Sequence, residues 1–306
     1  MQGAIDGLMR EGDLDIIQVE SSQMMCFDFG KGAAVVLDEH NVEYDLLRQV
    51  AHLERFSARR LFGYVDAAKA RRDEIRAWSS VDGCVATSVG DEAVIRRACP
   101  GVCTAVVPNG VDTEQLRPGV TPVDPDSLVF VGSMNYRPNA DAVLWFVDHV
   151  LPLVRRVRRS VVLTVVGYDP PASLESYAAS GVVVAGAVPD VRPFLERAAV
   201  VLAPLRAGGG TRLKVLEGLS MGKAVVSTTL GAEGIDVVPG EHLLIADDPE
   251  EMAGDILELI HDSALRARIG HAGRALVVEK YGWGTAVARL EAFHADVIAK
   301  VQERRH

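Results

Sequence analysis

Cysteine is scarce in this chain of 306 residues, and no cysteines stand at the spacing of a metal site. The four that are present, Cys26, Cys84, Cys99 and Cys103, form no CxxC motif, and no cluster of His or Cys accompanies Cys99 and Cys103. Zinc sites and disulfide frameworks need such patterns. We therefore expect reduced, buried thiols in a cytoplasmic protein.

Long apolar runs are also missing. No stretch approaches the roughly 18–20 apolar residues of a membrane-spanning helix, and residues 1–17 lack the basic region and the apolar run of a signal peptide. With 48% hydrophobic and 24% charged residues, the chain has the composition of a folded globular protein. We expect it to fold and remain in the cytoplasm.

Net positive charge is lacking as well, because 42 acidic residues outnumber 32 Lys and Arg and leave a formal charge of −10. A phosphate backbone would repel such a protein, and no nucleic-acid-binding motif is visible, so we expect no nucleic acid partner. Residues 46–78 are the exception, with eight Lys or Arg against four Asp or Glu. Such a charge run is more often a solvated helix face, which is the favoured interpretation. The alternative is that these residues, together with Leu61, Phe62 and Trp78, make a peripheral contact with the inner face of an anionic membrane.

Short β-branched runs recur along the chain and alternate with segments of helical period, such as residues 139–157. Because the runs are almost continuously apolar, they predict strands buried on both faces of parallel sheets. Strands that alternate with helices predict an α/β fold. The ten runs are 15–19, 33–37, 83–87, 104–108, 128–132, 161–167, 182–186, 199–204, 223–228 and 242–246.

The chain is long for one hydrophobic core, since single cores stop growing near about 250–300 residues. The Pro-, Gly- and Asp-rich stretch RPGVTPVDPD, residues 117–126, has the composition of a linker. We predict an N-terminal domain over 1–117 and a C-terminal domain over 118–283. Residues 284–306 have a helical period and predict a terminal helix that crosses back to the N-terminal domain.

Three consecutive glycines, Gly208 to Gly210, follow a predicted strand and precede a predicted helix. Such a turn lets backbone N–H groups approach an anion, and the helix adds the positive end of its dipole. With Thr211 as the predicted N-cap, Arg212 and Lys214 fall in the first turn, where two cations oppose the dipole unless an anion offsets them.

Glu217 stands three residues after Lys214, so the two side chains can share a helix face. A carboxylate in that position can accept hydrogen bonds from both hydroxyls of a ribose. The alternative for the whole segment is a flexible glycine turn followed by a surface Lys–Glu pair. The two unfavourably placed cations favour phosphate binding.

The run GGGTRLKVLEGLSMGKAVVSTTLGAEG, residues 208–234, resembles the nucleotide-sugar signature of the family-4 retaining glycosyltransferases. Four further stretches agree with that family in the same order, and the resemblance covers roughly residues 35–300. It implies a GT-B fold, that is, two Rossmann-like parallel-sheet domains facing a cleft. The further stretches are LDEHNVEYDLLRQ (37–49), VVPNGVDTEQLRP (106–118), VFVGSMNYRPNADAVLWF (129–146) and GAVPDVRPFLERAAVVLAPL (186–205).

The resemblance implies a role for each matching residue. Glu217 would hold the donor ribose, and Arg212 and Lys214 would face the diphosphate, with the glycine run giving backbone access. Gly132 and Ser133 would border the same phosphates, although a tight turn alone would also explain Gly132. The remaining implied positions are Arg137 near the phosphates, backbone atoms around Val188 at the nucleobase, and His40 beside the transferred sugar. For His40 a structural hydrogen bond is the alternative.

Two departures from the family pattern limit what can be carried over. Many members have an acid eight residues before the equivalent of Glu217, where this chain has Gly209. Contacts to the donor sugar would then come from backbone N–H groups. Members also begin with a strand, a glycine-rich turn and a helix, whereas this chain opens on the predicted strand 15–19. We therefore expect an incomplete N-terminal domain, from a late start codon or a remnant that needs a partner.

The function that follows is transfer of a sugar from a nucleoside diphosphate donor to an acceptor hydroxyl with retention, in the synthesis of cell-surface polysaccharide or glycoconjugate. No cofactor or metal is expected, because Arg212 and Lys214 can neutralise the leaving diphosphate. The acceptor is open and includes lipid-linked and polysaccharide substrates. The alternatives are a non-catalytic subunit that binds sugar nucleotides and, less favoured, a sugar-nucleotide epimerase, for which His40 is the one acid or base in view.

Overall fold

The computed structural model of the protein describes residues 1–12, 14–54 and 57–305, which form two compact units. The first contains the described residues of 1–109, together with Gly209–Thr211 and residues 284–305. The second contains Gly110–Gly208 and Arg212–Trp283. The predicted domain boundaries at 117 and 283 stay predictions. The Pro-rich stretch ends inside a strand that begins at Asp124.

The first unit is built on a four-stranded parallel sheet with the strand order β1-β2-β3-β4. Alternate residues of β2 enter different cores, because Val35 and Leu37 pack in one cluster and Ala34 and Val36 in another. This two-sided burial is what the continuous apolar run predicted. The strands are β1 (Ile16–Val19), β2 (Ala34–Glu39), β3 (Gly83–Ala86) and β4 (Cys103–Val106). The helices are α1 (Gln2–Glu11), α2 (Glu43–Leu53), α3 (Ser57–Ser79), α4 (Val89–Ala98) and, from Gly284 onward, α11 (Trp283–Arg305), with a 3-10 turn at Ser22–Cys26.

The second unit is built on a six-stranded parallel sheet with the strand order β10-β9-β8-β5-β6-β7. Its first strand is again buried on both faces, with Leu128 and Phe130 in one core and Val129 and Val131 in the other. The strands are β5 (Asp124–Val131), β6 (Val162–Val166), β7 (Val182–Gly186), β8 (Ala198–Ala203), β9 (Ala224–Ser227) and β10 (Leu244–Ile245). The helices are α5 (Arg137–Trp145), α6 (Leu151–Val157), α7 (Arg192–Arg197), α8 (Leu213–Ser220), α9 (Pro249–His261) and α10 (Ser263–Lys280), with a π turn at Phe146–Val150 between α5 and α6.

The order of the second sheet reverses at β5. The chain first adds β6 and β7 on one side of β5 and then adds β8, β9 and β10 on the other. Ligands of open parallel sheets bind at such a reversal, outside the carboxyl ends of the two strands that flank it. Here those strands are β5 and β8, and the segments after them contain Gly132 and Gly208.

All ten predicted strands and the α/β class are confirmed, although the run 242–246 forms only a two-residue strand.

Two sequence expectations need correction. Cys84 and Cys99 are buried as predicted, but Cys103 is only half-buried and Cys26 is exposed, at the end of a 3-10 turn that has no buried residue. Trp78, predicted to contact a membrane, is fully buried in the first unit. Of the predicted membrane segment 46–78, residues 55 and 56 lie outside the described residues. No helix in the described ranges combines the length and the apolar character needed to span a membrane.

The N–H group of the buried Trp78 indole is satisfied by a hydrogen bond to an acid. Its indole Nε1 donates to Glu39 Oε2 at 2.8 Å, and Glu39 is itself buried at the end of β2. Burial, with smaller contributions from the neighbouring Glu74 and Glu43, raises the pKa of Glu39 to about 8, although the hydrogen bond from Trp78 lowers it. Glu39 is thus an acid that the folded first unit favours in its protonated form.

This raised pKa predicts that the first unit loses stability as the medium becomes alkaline. Protonation of Glu39 stabilises the folded first unit. This stabilisation is fully present below the pKa that Glu39 has in the unfolded chain and is lost as the pH rises through about 8. Glu39→Gln keeps an acceptor for Trp78 but cannot ionise. Between pH 6 and 9 we expect the wild type to lose about 1–3 kcal/mol relative to this variant, measured by hydrogen exchange of the β2 and β3 amides. The exposed Glu291→Gln is the charge-matched control, and equal pH slopes in all three proteins would contradict the prediction.

Candidate functional site

The turn after β5 holds Gly132 and Ser133. Gly132 donates its N–H to Val166 O on the next strand, at 2.9 Å. A Cβ on Gly132 would lie 2.8 Å from Asn139 Nδ2, so only glycine allows the Asn139 side chain to pack against this turn. The Ser133 hydroxyl donates to Asn135 Oδ1 at 2.8 Å.

Asn139 lies in the first turn of α5 and is only 5% exposed. Its Nδ2 donates to Ser133 O at 2.7 Å, and its Oδ1 accepts from Lys214 Nζ at 2.8 Å. These two bonds join the turn after β5 to the start of α8. Arg137, predicted near the phosphates, is the exposed first residue of α5, directly before Pro138.

Helix α8 begins at Leu213, and its N-cap is Arg212, which makes no side-chain capping bond. The predicted cap, Thr211, is wrong, because the Thr211 hydroxyl donates to Thr87 O at 2.6 Å within the first unit. Arg212 and Lys214 do occupy the cap and the first turn, as predicted. They therefore oppose the helix dipole where it is strongest.

Arg212 is buried and Lys214 is half-buried. Arg212 is 5% exposed, and its Nη2 lies 3.4 Å from Glu233 Oε2. Lys214 Nζ lies 5.5 Å from the centre of the Phe130 ring, a cation–π contact. Burial lowers the pKa of Lys214 to about 8, with a further lowering from Arg212 and an opposing effect from Glu217. An anion bound beside these groups would favour their charged forms.

Glu217 lies on α8, one turn after Lys214 and partly buried. Burial raises the pKa of its carboxyl group, and Lys214 lowers it. Within the described parts of the chain, no donor group reaches the Glu217 carboxylate. Its oxygens are therefore available for two hydroxyl donors, as the ribose assignment requires.

The glycine run is divided between the two units. Gly208 belongs to the second unit and has a φ of +151°, in the region that favours glycine. A Cβ at this position would lie 3.2 Å from Arg212 Cζ, so the glycine also makes room for the guanidinium. Gly209 and Gly210 group with the first unit, where the Gly210 N–H donates to Asp91 Oδ2 at 3.2 Å.

His40 belongs to the first unit, at the carboxyl end of β2. It is exposed, and its Nε2 lies 3.4 Å from Glu20 Oε2. Glu20, Asp38 and His40 offer ligand atoms within 4.8 Å of one another, a group that could hold a metal ion in the described part of the chain. Burial raises the pKa of Asp38, His40 lowers it, and Glu20 raises it.

Val188 follows β7 in the second unit and is half-buried against the core that contains Val129 and Val131.

The predicted site residues are divided between the two units. The first unit contains His40, Gly209 and Gly210, and the second contains Gly132, Ser133, Arg137, Val188, Gly208, Arg212, Lys214 and Glu217. Sequence reasoning missed Asn139 as the link between Ser133 and Lys214. Its sequence signals are its place directly after Pro138, at the start of a helix that follows a glycine turn, and its position near Arg137 in the segment that the family resemblance assigns to the phosphates.

Comparison with known families adds a match in the same region. Residues 125–262 match the family described as Glycosyl transferases group 1. Except for Gly209–Thr211, the matched segment belongs to the second unit, and it includes the turn after β5 and all of α8.

Two sequence relatives and one structure illustrate the similarity. An uncharacterised 44.6 kDa protein in the cps region of Klebsiella pneumoniae is 23% identical over 164 residues, 51% of this chain and 42% of that protein. One subunit of the phosphatidylinositol N-acetylglucosaminyltransferase of Arabidopsis thaliana is 25% identical over 223 residues, 67% of this chain and 48% of that protein. The crystal structure of Anabaena HepE in complex with UDP has a TM-score of 0.72 at 14% identity, covering 96% of this chain and 81% of that one.

The chain spans less than half the length of both sequence relatives. The fold similarity, in contrast, extends over almost the whole chain. The protein is an α/β protein with two parallel sheets, and it has the fold of GT-B glycosyltransferase structures.

Proposed function

We propose that the protein transfers a glycosyl group from a nucleoside diphosphate sugar to an acceptor hydroxyl. The observation that carries this proposal is the pair of cations at the start of α8, the buried Arg212 and the half-buried Lys214, beside the reversal of the second sheet. Two cations with little exposure to water at a helix N-terminus are costly without an anion and favourable with one. The match of residues 125–262 to a glycosyltransferase family supports the same function.

In the proposed reaction, the bond between the anomeric carbon and the diphosphate oxygen breaks while the acceptor oxygen bonds to that carbon, and the acceptor's hydroxyl proton passes to an oxygen of the leaving diphosphate. The departing diphosphate gains negative charge, which Lys214, Arg212 and the dipole of α8 would stabilise. We propose that these groups suffice without a metal ion or cofactor. Retention at the anomeric carbon is the course that the family-4 resemblance implies, and the role of His40 beside the transferred sugar stays a prediction.

The donor nucleotide would be held by its ribose and its phosphates. Glu217 would accept hydrogen bonds from both ribose hydroxyls, one helical turn away from Lys214. Gly132, Ser133 and Arg137 would border the diphosphate, and backbone atoms near Val188 would contact the base. UDP is the first nucleotide to test, because HepE, which shares the fold, was crystallised with UDP.

Calorimetric titration of the protein with UDP, GDP and ADP tests the proposal. We expect saturable binding of one of these nucleotides, and sugar transfer when the matching sugar nucleotide is combined with an acceptor. Binding without transfer to any acceptor would favour the non-catalytic subunit, which the glycine at position 209 supports. Conversion of the sugar nucleotide without an acceptor would favour the epimerase. No binding by the folded protein would contradict the proposal.

The acceptor is proposed to be a polysaccharide or a lipid-linked glycoconjugate. Two relatives point this way by their names, one from a cps region and one acting on phosphatidylinositol. A lipid-linked acceptor would bring the protein to a membrane surface. Near the start of α3, Leu61 and Phe62 are exposed beside Arg59 and Arg60, which suits a peripheral contact with anionic lipid.

Vesicle co-sedimentation checks this contact. We expect the protein to bind vesicles that contain phosphatidylserine more than pure phosphatidylcholine vesicles, and Leu61→Ser with Phe62→Ser to lower the bound fraction several-fold, since burial of two large apolar side chains is lost. Val89→Ser, which alters a side chain as exposed as Phe62 (both 70%) on α4, is the matched control. Equal binding to both kinds of vesicle would remove the membrane contact from the proposal.

A further inference from the structure

Asn139 contacts the turn after β5 and the start of α8, which are both assigned to the donor site, but it belongs to neither of them. It is buried, it lies on α5, and its amide spans from the carbonyl of Ser133 to the amine of Lys214. We propose that Asn139 is a positioning residue, which holds the Lys214 amine against the turn after β5 so that the amine meets the donor diphosphate. This inference rests on the proposed function, because the diphosphate is the group that the amine would meet.

The place of Asn139 is fixed by its surroundings. Its backbone N–H donates to Tyr136 O at 2.9 Å, which anchors it in the first turn of α5. Because Gly132 has no side chain, the Asn139 amide can pack against it. The orientation of that amide follows from its partners. Turned by 180°, it would set its NH₂ group against an ammonium group and its oxygen against the Ser133 carbonyl, so both contacts would become repulsive.

An amide is suited to this task because it accepts a hydrogen bond without carrying charge. A carboxylate of the same shape would hold the amine equally well, but it would cancel the positive charge that the diphosphate needs. The other groups facing Lys214 are Arg212, Glu217 and the ring of Phe130. Asn139 therefore restrains the amine and leaves its charge available to the ligand.

Two variants of Asn139 with side chains of nearly the same shape separate its restraint of the Lys214 amine from the effect of charge at its position. Asn139→Leu removes both hydrogen bonds, and Asn139→Asp keeps an acceptor for the amine while adding a negative charge. Asn135→Asp, in the same turn but exposed, adds the same charge away from Lys214 and is the control. The pH dependence of Lys214 acylation, followed by mass spectrometry of the peptide, reports the pKa of the amine in the protein without nucleotide.

For the wild type we expect an acylation midpoint near pH 8, where burial places the pKa of Lys214. In Asn139→Asp the midpoint should rise by about one unit or more, because an opposite charge favours the ammonium form, whereas Asn135→Asp should leave it near the wild-type value. Asn139→Leu should lower the turnover number about 100-fold with little change in KM for the donor, the effect of a misplaced group. In Asn139→Asp the alkaline limb of the pH–rate profile should move to higher pH.

Equal acylation midpoints in the wild type and Asn139→Asp would overturn the inference, and so would a turnover of Asn139→Leu within threefold of the wild type. If Asn139→Leu does not fold, as judged by circular dichroism, the acylation result for Asn139→Asp decides. Failure of the proposed function looks different. In that case the wild type binds no nucleotide, while acylation still reports whether Asn139 holds the amine.

Discussion

Replacing Lys214 by methionine is expected to lower the turnover number by about 100- to 1,000-fold while the protein stays folded, because one preorganised group that stabilises developing charge typically contributes that much. Methionine has nearly the length of lysine and fills the space beside Phe130 without a charge. The KM for the donor should change less than the turnover number, since the charge on the diphosphate is largest as the bond breaks. Initial rates at saturating donor measure the effect.

The chain offers a closely matched control for this variant. Lys223 is also buried, its pKa is also lowered to about 8 by burial, and its Nζ donates to Glu196 O at 2.7 Å. It lies directly before β9, at the amino end of that strand, whereas Lys214 follows the carboxyl end of β8. Lys223→Met should alter stability but leave the turnover number within a few-fold of the wild type. A similar loss of turnover in both variants would assign the effect to general damage and not to charge stabilisation.

Glu217→Ala is expected to weaken nucleotide binding by about 10- to 100-fold, the loss of hydrogen bonds to a charged acceptor. The position of the missing contact can be tested with a second ligand. For the wild type, the 2′,3′-dideoxy form of the nucleotide should bind more weakly than the nucleotide itself. For Glu217→Ala the two should bind almost equally, because the carboxylate that distinguishes them is gone.

Calorimetric titration of the nucleotide and its 2′,3′-dideoxy form into the wild type and Glu217→Ala measures the four affinities that this comparison needs. Glu217→Gln, with one remaining carbonyl acceptor, should lie between the wild type and the alanine variant. Glu258→Ala changes an exposed acid on α9 and should leave both affinities unchanged. If Glu217→Ala still discriminates against the dideoxy nucleotide as strongly as the wild type does, Glu217 does not bind the ribose.

The sheets could be predicted from the sequence because their central strands, among them β2, β3, β8 and β9, are buried on both faces. A strand such as β2 must supply apolar residues to two cores, so its sequence is a continuous apolar run with little ambiguity. The helix after the glycine run was also predictable, because Lys214 and Glu217 stand at helical spacing. These features depend on neighbouring residues in the chain, and their patterns are visible without the structure.

Contacts between distant residues could not be predicted in the same way. Thr211 has the side chain of an N-cap, but a carbonyl at Thr87, 124 residues away in sequence, accepts its hydroxyl. Trp78 stands in a basic segment, yet its indole packs in a core of the first unit and donates a hydrogen bond to Glu39. The link from Asn139 to Lys214 crosses 75 residues and becomes visible only when the turn after β5 and the start of α8 are seen together.

The buried amine of Lys214 couples donor binding to the acidity of the medium. Near pH 8 a fraction of the unbound protein carries Lys214 as a neutral amine, because burial lowers its pKa to about 8. A bound diphosphate favours the ammonium form, so binding takes up a proton, and by thermodynamic reciprocity each proton taken up strengthens binding. In the proposed function, a higher pH therefore weakens donor binding. Lys214 releases the proton again when the nucleoside diphosphate dissociates.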